Sequence, residues 1–91
     1  MTKFEWDPQK AKLNVRKHRV SFEEAETAIL DELSKTASDP DHSLSENRFI
    51  TFGVSARLRL LVVSYTHRGD SIRIISARTA TKLEREFYEE H

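Results

Sequence analysis

Leu58-Arg59-Leu60-Leu61-Val62-Val63-Ser64-Tyr65-Thr66 is the stretch that decides the architecture of this chain. Its apolar content is almost unbroken, which predicts a central strand covered on both faces for much of its length. The next four residues, His67-Arg68-Gly69-Asp70, read as a hairpin turn. Residues 71–77 form the returning strand, with Ile72 and Ile74 on one face and Arg73 and Ile75 on the other. Ahead of the central stretch, residues 48–55 alternate well. Ile50, Phe52 and Val54 lie on one side, and Phe49, Thr51 and Gly53 on the other. Residues 33–38 read as a weak edge strand, closed by the turn cluster Ser38-Asp39-Pro40-Asp41.

The N-terminal third has a different period. Phe4 and Trp6 alternate with Lys3 and Glu5 in a short strand over residues 3–6. Asp7-Pro8 then opens a helix that runs to about His18, because Asp7 can cap free N–H groups and Pro8 suits the first helical position. Ala11, Asn14, Val15 and His18 share one face of it, so its polar members need partners. A second helix starts at the capping box Ser21…Glu24, with Val20 and Ala25 in the hydrophobic-staple positions. Phe22, Ala25 and Ile29 form its buried stripe, Glu23, Glu24 and Glu26 its outside, and it stops near Asp31. The last helix spans about Thr79 to Glu90, with a capping box at Thr81 and Glu84 and an apolar stripe of Ala80, Leu83 and Phe87. The order β-α-α-β-β-β-β-α, with helices segregated from an antiparallel meander, predicts an α+β sandwich.

Ninety-one residues set the expectation of one domain over residues 1–91. Apolar residues make up 37% of the chain, below the roughly 45–50% of ordinary globular domains. The core should therefore be thin, and a partner that covers more surface would help it. Cysteine is absent, which excludes disulfides, zinc thiolate sites and a cysteine nucleophile. No apolar run approaches the ~20 residues of a membrane span, and the N-terminus lacks an apolar signal region. The expected location is the cytoplasm, with no membrane partner. The formal net charge of zero hides a block pattern. Residues 10–19 carry Lys10, Lys12, Arg16, Lys17 and Arg19 with no acid, residues 23–46 are acidic, and residues 48–78 carry six arginines against Asp70 alone. Arginine in place of lysine throughout that last block suits bidentate phosphate contacts.

Three clusters have chemical potential. The first is His42-Ser43-Leu44-Ser45-Glu46-Asn47-Arg48, in which Glu46 and Arg48 point to the same face of an extended strand. RNA cleavage by transesterification needs a base for the 2′-hydroxyl, an acid for the departing 5′-oxygen and cations for the phosphorane charge. A His, a Glu and an Arg supply these without a metal or other cofactor. They serve equally as a turn cap and a cross-strand ion pair. The second cluster is Arg73-Ile74-Ile75-Ser76-Ala77-Arg78. Arg78 sits where the strand hands over to the last helix, and a guanidinium beside a helix N-terminus makes a phosphate cradle. The third, His67-Arg68-Gly69-Asp70, puts Arg68 at an exposed hairpin tip. Asn14, Lys17 and His18 read as structural, as do Tyr65 and Tyr88 in core packing. No metal-ligand spacing, phosphate loop or nucleophile elbow is present.

These residues resemble a known pattern. Phe4-Glu5-Trp6-Asp7, Lys10, Asn14, Lys17-His18 and Val20-Ser21-Phe22-Glu23-Glu24-Ala25 are similar to the opening of BrnT-type toxins. So are Asp39-Pro40-Asp41-His42-Ser43 with Glu46 and Arg48, then Arg68-Gly69-Asp70, Ile72-Arg73-Ile74-Ile75-Ser76-Ala77-Arg78, Ala80-Thr81 and the closing Glu84-Arg85…Tyr88-Glu89-Glu90. The pattern extends over nearly the whole chain, in order. Arg19, Glu32, His67 and Thr79 depart from it, Arg19 standing where the family usually has Gly. The resemblance implies a RelE-like fold and a toxin that cleaves RNA and arrests translation and growth. It implies a BrnA-like ribbon-helix-helix antitoxin as partner, a heterotetramer built on an antitoxin dimer, and DNA contact only through that antitoxin. On this reading His42, Glu46, Arg48, Arg73 and Arg78 are the catalytic candidates, and Arg48, Arg68 and Arg78 hold phosphate. The competing reading is a non-catalytic module whose arginines dock an acidic antitoxin segment and tune transcription.

Overall fold

The computed structural model describes residues 2–39 and 47–90. Its elements, in order, are β1 (Lys3–Glu5), α1 (Pro8–His18), α2 (Phe22–Ile29), β2 (Lys35–Ser38), β3 (Arg48–Val54), β4 (Leu60–Arg68), β5 (Ser71–Thr79) and α3 (Lys82–Glu89). The strands form one sheet in the order β1-β5-β4-β3-β2. Strands β2 to β5 make the expected antiparallel meander. The sheet as a whole is mixed, however, because β1 pairs with β5 in parallel, Lys3 opposite Ser71. Two helices separate β1 from the meander, and a parallel neighbour requires a long crossover of this kind.

Helices α1 and α2 cover one face of the sheet. Val20, Phe22, Ala25 and Ala28 meet Leu61, Val63, Ile74 and Ala77 in the core, and Trp6 packs edge-on against Phe22 at 5.8 Å. Glycine is required at Gly53, where a Cβ would stand 2.1 Å from the Ala28 carbonyl oxygen. Its absence lets α2 lie directly on β3. Both helices begin as their sequence predicts, with Asp7 accepting from the Gln9 N–H at 2.8 Å and Ser21 from the Glu24 N–H at 3.0 Å. The first helix ends on Arg19, which takes the left-handed conformation at φ 57° usual for glycine.

Asn14 is buried and does what a strand would do. Its Nδ2 donates to the Ala77 carbonyl at 2.7 Å and to the Val20 carbonyl at 2.9 Å, and its Oδ1 accepts from the Ala77 N–H at 3.1 Å. Strand β1 has ended by then, its last register pair being Glu5 with Arg73. The Asn14 carboxamide satisfies the β5 edge beyond that point.

Three sequence expectations are corrected. Glu24 is buried rather than on the outside of α2, and its carboxylate accepts from Ser55 Oγ at 2.7 Å and from Arg59 Nε at 3.0 Å. Val15 and His18 lie exposed on α1, which turns only Asn14 and Ala11 inward. The α3 stripe is largely exposed as well, Leu83 at 76% and Phe87 at 55%. This helix sits on the opposite sheet face, where it is anchored by polar contacts.

The register of β5 contains a bulge. Ser64 faces Ser76 and Tyr65 faces Ile74, which leaves Ile75 as the extra residue. Arg73 and Arg78 are five positions apart, which would put them on opposite faces of a regular strand. The bulge changes the parity. Arg73 is opposite Thr66 and Arg78 opposite Val62, two positions that share a face of the regular strand β4.

Candidate functional site

The face turned away from α1 and α2 is built in rows. In the first, Arg48 of β3, Thr66 of β4, Arg73 of β5 and Glu5 of β1 stand side by side. Arg73 Nη1 donates to Glu5 Oε2 at 2.7 Å, and Thr66 Oγ1 donates to the Asn47 carbonyl at 2.7 Å. The second row is Ile50, Ser64 and Ser76, all half-buried. The third is Lys35, Phe52, Val62 and Arg78, and it lies under α3. Lys35 Nζ donates to the Tyr88 carbonyl at 2.7 Å and sits 5.1 Å over the Tyr88 ring. Phe52 meets Phe87 at 6.4 Å between ring centroids. Arg78 forks onto Glu84 at 2.7 and 2.8 Å. The first and third rows are four β4 residues apart, about 13 Å. A two-row floor is therefore left beside α3.

Where β3 begins and β4 ends, Asn47, Phe49, Thr66, His67 and Arg68 line a pocket of about 310 Å³. Phe49 stacks on Tyr65 at 5.6 Å, and the His67 ring stands edge-on to both, at 5.4 and 5.8 Å. Arg68 shares the parity of Thr66, so it extends the open face toward the hairpin. Gly69, at φ 59°, closes that hairpin in a two-residue link shorter than the four-residue turn read from sequence.

Arg48, Arg68 and Arg73 thus converge on the open end of one sheet face. Arg78 shares the face but is engaged elsewhere. The carboxylate of Glu84 binds it bidentately, accepts from the Thr81 N–H at 2.9 Å and completes the α3 capping box. The helix N-terminus expected to cradle a phosphate is thereby filled from within. The Arg78 guanidinium, aided by the Thr81 N–H, holds Glu84 down at about 2 against the cost of burial. The two remaining candidates, His42 and Glu46, lie outside the described residues. Among the described residues no three His, Asp or Glu side chains converge as metal ligands, and no helix is long and apolar enough to cross a membrane.

Residues 6–84 match the family described as the ribonuclease toxin, BrnT, of type II toxin–antitoxin systems. The chain belongs to the BrnT family. BrnT-family proteins are ribonuclease toxins, and a type II system implies both an RNA substrate and an antitoxin partner. The crystal structure of the Brucella abortus ribonuclease toxin BrnT superimposes with a TM-score of 0.68, covering 90% of this chain and 100% of that one. At 23% identity the likeness is one of fold. No protein of curated function matches the chain.

Sequence reasoning about this BrnT-family surface missed the carboxylates that hold its arginines. Glu5 and Glu84 were read only as strand and cap residues, yet each neutralises one arginine of the site. The Glu24–Arg59–Ser55 cluster was missed too. Its hydrogen bond from Arg59 holds the Glu24 carboxyl below its ordinary range against burial, and Arg59 also donates to the Arg19 carbonyl at 3.0 Å. The available signal was Arg59 itself, a charge inside an otherwise apolar strand entry.

Proposed function

We propose that this BrnT-family member is a metal-independent endoribonuclease that holds the RNA backbone on the open half of its outer sheet face. The observation that supports this most is the row Arg48–Thr66–Arg73, with Arg68 two positions further along β4. A guanidinium has five N–H donors. Arg73 spends part of that set on Glu5 and keeps donors for a phosphate, where its charge offsets the negative charge that develops on the phosphorane. Arg48 and Arg68 bind the flanking phosphates. His42 and Glu46 are the candidates for the proton-transfer roles, an imidazole and a carboxylate of the types the reaction needs. Arg78 has its charge offset by the bidentate Glu84 carboxylate, so its main part is to keep α3 beside the floor.

On this proposal the toxin works in the cytoplasm, arrests translation, and is neutralised by a BrnA-like ribbon-helix-helix antitoxin in a heterotetramer that touches DNA through the antitoxin. The test is cleavage of a defined RNA in EDTA by purified, antitoxin-free protein, with Arg73→Gln beside it. Arg73 serves better than Arg78, whose loss would also release Glu84 and α3. A fall of about tenfold or more, equivalent to ~1.4 kcal/mol of transition-state stabilisation, supports the assignment. Equal cleavage puts the site elsewhere. Absence of cleavage by the wild type, together with unaffected growth on antitoxin-free expression, favours the docking module.

A further inference from the structure

The exposed face of α1 has no role in the site described above. Lys10, Lys12, Leu13, Arg16 and Lys17 are all solvent-exposed, and Leu13, Arg16 and Lys17 line an open hollow. At 100° per residue Lys12, Leu13, Arg16 and Lys17 fall within about 140° on the side away from the inward-facing Ala11, and Lys10 stands at the edge of the stripe beside Asn14. None of the four cations has an ion-pair or hydrogen-bond partner among the described residues.

Local energetics do not explain this stripe. Cations in the last turn, such as Arg16 and Lys17, gain from the helix dipole. Lys10, in the first turn, works against it, and is offset in part by the Asp7 carboxylate at the N-cap. Lys12 and Arg16 are a like-charge i,i+4 pair, which destabilises a helix by roughly 0.2–0.5 kcal/mol. Among the described residues no ion pair offsets the repulsion, and an external polyanion would neutralise it. Lysine supplies three of the four charges and one leucine is the sole apolar member. Protein interfaces deplete lysine at their cores and rely on larger apolar anchors. Unpaired lysines in a stripe are the footprint of a sequence-independent phosphate-backbone contact.

We propose that α1 is a second RNA-backbone site, which holds the substrate strand beyond the segment bound on the sheet. This rests on the ribonuclease reading for the identity of the ligand. The two surfaces lie on opposite faces of a molecule 27 Å across its shorter axes, so a strand that joins them runs around an edge and needs on the order of ten nucleotides. A long RNA engages both surfaces, and a hexanucleotide only the sheet.

The test uses the full chain and its Lys12→Gln/Arg16→Gln/Lys17→Gln variant, with fluorescently labelled single-stranded RNAs of 30 and 6 nucleotides, titrated across a salt series. Three cations lost should make the slope of log K against log salt shallower by about 2 for the 30-mer. Binding of the 30-mer at 0.1 M salt should weaken at least tenfold, while binding and cleavage of the hexamer stay within about twofold. The variant should melt within a few degrees of the wild type, since the repulsion removed and the helix-dipole contribution lost are of similar size. Equal 30-mer affinity and slope in the two proteins overturn the proposal. So does a variant that binds RNA normally but loses an acidic protein partner, a result that Leu13→Ala would reproduce if the stripe were a protein interface. Should the wild type bind RNA without cleaving it, the catalytic reading fails while the slope still decides the role of α1.

Discussion

Replacing Asn14 by alanine isolates a buried side chain that ties α1 to two distant backbone segments. Its carboxamide makes three hydrogen bonds, two to the backbone of Ala77 and one to the Val20 carbonyl. Ala77 and Val20 are both fully buried, so water cannot replace the lost partner. A buried group left unsatisfied costs about 1–3 kcal/mol, and three such groups, with some relaxation, give roughly 3–5 kcal/mol. A domain of this size has only about 5–14 kcal/mol in total. The melting temperature should drop by roughly 15–30 °C. Urea denaturation followed by far-UV circular dichroism measures the effect, and the slope m checks that the unfolded state is unchanged. Asn14→Asp adds a control. It keeps the acceptor for the Ala77 N–H but faces two carbonyls without a donor, so it should regain stability on acidification, when a protonated carboxyl can donate again. A loss below about 1 kcal/mol for Asn14→Ala at constant m would refute the claim that this carboxamide substitutes for a strand.

Two further perturbations test the elements that frame the site. The Glu84 carboxyl lies at about 2 in the folded protein, below its ordinary 4.5. Its stabilisation is therefore fully present above about pH 4.5 and is lost as pH falls toward 2. Because Arg78 is 42% exposed, solvent screening limits the contribution to roughly 1 kcal/mol. Glu84→Gln should lose that much at pH 7 and converge on the wild type near pH 2, and a pH-independent difference would count against the pair. Arg19 holds a left-handed conformation at φ 57°, which costs a non-glycine residue about 1–2 kcal/mol. Arg19→Gly should raise stability by about 0.5–1 kcal/mol after the entropy of the freer unfolded chain is counted. A lower melting temperature would refute the claim that the left-handed Arg19 is strained.

Helix starts, strand alternation and the hairpin were legible because each depends on neighbours in the chain. Asp7, Ser21 and Thr81 cap their helices by bonding N–H groups two or three residues on. The need for a partner at Asn14 was legible too, since a carboxamide on a half-apolar helix face must be satisfied. Its partner, 63 residues away at Ala77, was not. Nor was the parallel pairing of β1, which only the packing of α1 and α2 against β5 imposes.

The site divides along the same line. Local sequence alone determined that arginines would crowd the strands from residue 48 to 78 and that their side chains would alternate between faces. Tertiary structure decided which of them meet. One extra residue in β5 brought Arg73 and Arg78 to the same face, and strand pairing set Arg48 beside Thr66 opposite Arg73. It also decided which arginines are already neutralised, since Glu5 and Glu84 are chosen by register and helix docking rather than by sequence distance. A bulge is a mismatch between two strands, and an ion pair is a choice among many carboxylates. Both are properties of how segments pack, so neither can be read from one segment by itself.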